Sequence, residues 1–155
     1  MILKTCTLVD ATLLQAARRA PAKKDKTGGD DDARYTVKPG QPHYGDKAHG
    51  AVDEPHTLIR AVTLTSASVQ DSQELGTVVP GDEQVVMAAK AYWSRERSEW
   101  RGRKGVANGL LRKAVRGEVL KDSDARLNRL FSSIRSKIEK VFGWWKGSAG
   151  YRRVR

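Results

Sequence analysis

A chain of 155 residues with 39% hydrophobic and 30% charged side chains can bury one sizeable core, and it is too apolar for a disordered segment. A lone cysteine, Cys6, excludes an internal disulfide, no apolar run approaches a membrane span, and the opening Met-Ile-Leu-Lys-Thr lacks the layout of a secretory signal. A cytoplasmic protein is expected, and its net charge of +11 points to a polyanionic partner.

Residues 5–14, Thr-Cys-Thr-Leu-Val-Asp-Ala-Thr-Leu-Leu, are rich in β-branched and apolar residues and read as a strand. Asp10 sits in its middle. A carboxylate in a buried strand is costly unless it is paired or binds a metal, whereas on a sheet edge it simply faces water. Residues 17–42 read as a long loop, with a run of cations, the triplet Asp30–Asp32 and prolines at 21, 39 and 42. Three consecutive aspartates cannot converge on one ion, so the triplet reads as a solvated turn.

Tyr44–Asp53 and Thr57–Thr65 form a predicted hairpin across Asp53-Glu-Pro-His56. His43, His49 and His56 follow no ligand spacing and read as structural or exposed. A hydroxyl cap at Ser66 opens a short predicted helix that runs to Leu75. Gln84–Lys90 is a short apolar strand, Tyr92–Lys104 a helix carrying Arg and Glu, and Val106–Val115 a strand interrupted by Gly109. Ser123 or Asp124 caps a long final helix.

On that helix Leu127, Leu130, Phe131, Ile134, Ile138, Val141, Phe142 and Trp145 share one face. Arg135, Glu139 and Lys146 fall in a narrow band along its edge, because steps of four and then seven residues come close to three whole turns. An i,i+4 ion pair on a solvated edge accounts for Arg135 and Glu139 alone. The element order, three strands and then helix–strand–helix–strand–helix, is that of a ribonuclease-H-like α/β fold, a mixed five-stranded sheet flanked by helices.

The charge is unevenly spread. Residues 1–90 carry 11 Lys/Arg against 12 Asp/Glu, and residues 91–155 carry 18 against 6. The basic half is interleaved with Trp93, Trp100, Trp144, Trp145 and Tyr151, the footprint of a nucleic-acid binder. A membrane surface fits less well, since no long amphipathic helix leaves an apolar face open.

The chain resembles the catalytic domain of a DDE-type bacterial insertion-sequence transposase, in the group with a Tyr-Arg-Glu-Lys signature. The resemblance rests on Val9-Asp-Ala-Thr-Leu, Tyr44-Gly-Asp-Lys-Ala-His, Ala61-Val-Thr-Leu-Thr-Ser-Ala, Ala88-Ala-Lys-Ala-Tyr, Ile134-Arg-Ser-Lys-Ile-Glu-Lys-Val-Phe-Gly and Gly150-Tyr-Arg-Arg-Val-Arg, in family order over nearly the whole chain. It implies DNA cleavage and strand transfer at transposon ends. Three carboxylates would hold two magnesium ions for in-line phosphoryl displacement on double-stranded DNA, generally by a dimer on paired ends. It assigns metal-binding roles to Asp10 and Glu139. Contacts with DNA fall to Arg135, Lys146, Lys90, Arg152 and Arg153, and Ser132 stands at the signature's Tyr position.

The second carboxylate is missing: Ala89 occupies its place, and Glu83, six residues earlier, lies roughly 20 Å away along an extended strand. Such a chain is expected to fold but not to cut DNA. Residues 1–155 read as one catalytic domain, and with nine residues before Asp10 they are expected to be a truncated copy without the family's N-terminal DNA-binding region. A non-catalytic DNA-binding relic that uses the basic C-terminal half is the alternative.

Overall fold

The computed structural model describes residues 6–18, 20, 32–38, 40–79, 81–92, 107–111 and 119–154. Its centre is β1, Cys6–Ala16, where Leu8 and Val9 are fully buried on opposite faces. Strand alternation sends Leu8 and Asp10 to one side and Val9 to the other. β3, Gln41–Asp53, pairs antiparallel with β1 over nine residues, and β4, Ile59–Ser66, pairs antiparallel with the outer edge of β3. On the other flank β5, Val85–Ala88, runs parallel to β1, and β6, Ala107–Leu110, runs parallel to β5.

Among the described residues the sheet has seven strands where five were expected. One addition, β2, comes from the segment read as a loop. Arg34–Lys38 pairs antiparallel with Gln41–Gly45, and Gly40 at φ 78° makes the turn. Tyr35, Thr36 and Val37 are good strand formers, and the surrounding charges and prolines mask their pattern. The Tyr35 and Tyr44 rings meet at a tilt, with centroids 5.1 Å apart. The other addition, β7, Arg153–Val154, lies parallel to the end of β1.

The expected helix over Ser66–Leu75 is instead the end of β4, a 3₁₀ turn at Asp71–Gln73 and one helical turn, α1, Leu75–Val78. Polar residues fill most of this stretch, and within the helical turn Leu75 and Val78 reach the core. They join Val9, Ala51, Val86, Ala88 and Tyr92 on one face of the sheet. The helix expected over Tyr92–Lys104 falls outside the described residues beyond the 3₁₀ turn Lys90–Tyr92, as do residues 106 and 112–115 of the strand expected over Val106–Val115.

The opposite face is covered by α2, Asp122–Gly147. It starts without a side-chain cap at Lys121, so neither Ser123 nor Asp124 fills that role; Asp122 and Asp124 instead place negative charge on the positive end of the helix. Ile138 and Phe142 are buried against Leu8 and Val52, with Ile134, Val141 and Trp145 around them. Leu127 and Leu130, expected on the same stripe, are 44% and 54% exposed, because the first half of α2 extends past these packing partners. Gly50, paired with Asp10, lets the helix approach: a Cβ there would stand 3.0 Å from the Phe142 ring. Among the described residues no helix is long and apolar enough to cross a membrane.

Candidate active site

Asp10 lies on the α2 side of the central strand, and Arg135 reaches it from a position 125 residues later. Arg135 Nη1 donates to Asp10 Oδ2, and Nη2 stands 3.0 Å from Glu139 Oε1. One guanidinium thus bridges both carboxylates, and Asp10 Oδ1 accepts a 2.9 Å bond from the Ala11 amide. The side chains of Asp10 and Arg135 are 15% and 19% exposed, while that of Glu139 is 55% exposed. Burial pushes the Asp10 carboxyl above its ordinary value, outweighing the opposing pull of Arg135.

Ala89 lies one residue past the end of β5. The β1–β5 register pairs Val9 with Ala88, so Ala89 leaves β5 at the level where Asp10 continues β1. Its methyl packs against the Val9 and Tyr92 cluster, and its carbonyl accepts the Tyr92 amide at 3.0 Å. Glu83 offers no substitute. It is buried, takes a 2.9 Å bond from Arg60 Nη1, and accepts the Gly81 amide through its other oxygen.

The predicted cations divide into two groups. Arg135 turns inward, with both Nη atoms on carboxylates and a buried Nε that has no partner. Lys146, Arg152 and Arg153 instead line an open cleft of about 950 Å³ between the end of β1 and the last turn of α2. Its walls also carry Arg18, His43 and Tyr44, which sequence reasoning passed over. The residues after α2 are held in place by β7, by the Gln15 amide donating to Arg152 at 3.0 Å, and by Tyr151 against Trp145 at 5.3 Å. Partial burial, with Lys38 as a like-charged neighbour, lowers the Lys146 pKa from its ordinary value. Ser132 lies exposed on α2, one turn before Arg135, and Lys90 falls in the 3₁₀ turn after Ala89.

Tyr92 was also missed, although it closes the Ala88-Ala-Lys-Ala-Tyr stretch. It is fully buried, its hydroxyl has no partner, and burial together with Asp71 and Asp10 pushes its ionisation far up. His49 donates or accepts at Nε2 with Thr65 Oγ1 at 2.9 Å and is also fully buried; His56 Nδ1 sits 2.7 Å from the buried Asp53. Both are structural, as their spacing implied. Cys6 is half-buried, and its thiol is pushed up to about 11 by that burial and by Glu54 and Asp53.

The donor set does not suit the pair of divalent ions the sequence led one to expect. Asp10 and Glu139 supply carboxylates already joined to a guanidinium, Ala89 supplies a methyl, and among the described residues no group of three acidic, His or Cys side chains could hold a metal. What the arrangement can do is present a basic cleft to phosphates, with a half-neutralised carboxylate pair beside Arg135. Residues 2–155 match the family model described as Transposase DDE domain.

Proposed function

The chain belongs to the transposase DDE domain family, and from that premise we propose that it is a transposase catalytic domain of the Tyr-Arg-Glu-Lys group, with a ribonuclease-H-like fold, that binds transposon-end DNA but cannot cut it. One observation carries this reading. Asp10 from the central strand and Glu139 from α2 meet on Arg135, and Ala89 follows the neighbouring parallel strand one residue past the level of Val9. Two of the three expected carboxylates meet, and alanine stands at the sequence position of the third, its methyl packed with the Val9 and Tyr92 cluster.

DNA lies along the cleft bounded by Lys146, Arg152, Arg153 and Arg18, where several cations face one way. These contacts are to phosphates, so they supply affinity and position rather than sequence recognition. A paired-end complex takes two copies of the chain. The alternative, a non-catalytic DNA-binding relic that uses the basic C-terminal half, shares the cleft but gives no role to the convergence of Asp10 with Glu139.

The test compares the natural chain with Ala89→Asp on duplexes carrying the ends of the element, with magnesium. The natural chain is expected to bind without nicking, and the variant to nick. Magnesium-dependent cutting by the natural chain, with Ala89→Asp no faster, would mean that Ala89 is not the missing carboxylate position.

A further inference from the structure

The geometry points to Arg135 as an internal cation that occupies the seat between Asp10 and Glu139 and keeps divalent ions out. The claim rests on the family reading only for the interest of these two carboxylates; the arrangement itself is read from the side chains. A guanidinium is planar and forked, so it can give one Nη to each of two carboxylates at once. Here it does so, with Nη1 on Asp10 and Nη2 at 3.0 Å from Glu139. Its position is fixed, because Asp10 is rooted in the central strand and Arg135 and Glu139 are one turn apart on α2.

Charge decides the competition. Two carboxylates are often enough for magnesium when phosphates complete its shell. In this site their charge is half cancelled by Arg135, and Lys38 adds positive potential at Asp10. An incoming dication must displace a guanidinium whose Nε is already buried without a partner and whose carboxylate partners among the described residues are Asp10 and Glu139 themselves. Adding a carboxylate at position 89 tips the count to three against one. Removing the guanidinium tips it as well, without any change at position 89. Arg135 is therefore a positioning residue, a latch on the carboxylate pair, and phosphate binding passes to the cleft cations.

The test titrates Mn2+ into the natural chain, Arg135→Gln, and Ala89→Asp, without DNA, at constant ionic strength, by calorimetry. The natural chain is expected to show no saturable binding at Asp10 and Glu139, and Arg135→Gln to bind Mn2+ at least about tenfold more tightly. Equal affinity in a folded Arg135→Gln variant overturns the latch. Should that variant not fold, the natural chain decides through its Arg135 side-chain N–H resonances. Signals that stay in place through a magnesium titration support the latch, and signals that shift overturn it. Mn2+ binding by Ala89→Asp without any DNA cutting would sink the transposase reading and leave the latch standing.

Discussion

Replacing Gly45 with alanine probes both the fold and the DNA cleft. Gly45 pairs with Gln15 of β1 and with Arg34 of β2, and its carbonyl accepts the Ala67 amide at 3.0 Å. A Cβ built there would stand 2.1 Å from the Leu14 carbonyl oxygen and 2.8 Å from the Ala16 nitrogen. Close C···O contacts run to about 3.3–3.6 Å, so the strands would have to separate by roughly 1.2 Å or more. Both clashing atoms are backbone and cannot rotate away. Overpacking of this kind costs about 1–3 kcal/mol, and losing one or two strand hydrogen bonds adds about 1 kcal/mol each. The expected loss is therefore about 3–4 kcal/mol, a large part of the stability of a domain this size. Because β1 ends beside β7, the same shift should misplace Arg152 and Arg153 and weaken DNA binding. Urea unfolding measures the first effect, with Gly143→Ala as control. That helical position has open space around it and should gain up to about 1 kcal/mol. A Gly45→Ala variant as stable as the natural chain would refute the packing deduced around the β1–β3 pair.

Arg60 joins Thr7, Asp82 and Glu83 in a buried network, so Arg60→Leu should strand the Glu83 carboxylate and cost about 3–5 kcal/mol in chemical denaturation; adding Glu83→Gln should recover part of that loss. Burial holds the His49 pKa below its ordinary 6.5, so the unfolded chain binds its proton first, and this contribution is complete above pH 6.5 and lost as pH falls through the lowered native value. An NMR titration should show the His49 ring neutral at pH 6.5, and a ring that titrates normally there would contradict its placement. If Lys146 contacts one phosphate, Lys146→Ala should reduce the slope of log affinity against log salt by about 0.9 on duplex DNA, equally for all sequences. An unchanged slope would put the phosphates elsewhere.

Period and composition were enough to find β1, the β3–β4 hairpin, the apolar strand before Ala89 and the long final helix. These are local patterns: alternation, an apolar run, and a stripe repeating at the helical period. The four- and seven-residue steps set Arg135, Glu139 and Lys146 on one helix edge, and the resemblance to the transposase family alone linked Glu139 with Asp10. The strand at Arg34–Lys38 escaped because its few β-formers lie in a charged, proline-rich stretch and it gains its pairing only from β3. Arg135 shows the boundary most clearly. Its place on the helix edge was legible, but whether it faced phosphate or carboxylate depended on how far α2 stands from β1, and Gly50 against Phe142 decides that distance. Chain order could name the residues of the site. Which cation each carboxylate would meet was decided only when a strand near one end of the chain and a helix near the other packed together, because charge pairing depends on distances that no local pattern encodes.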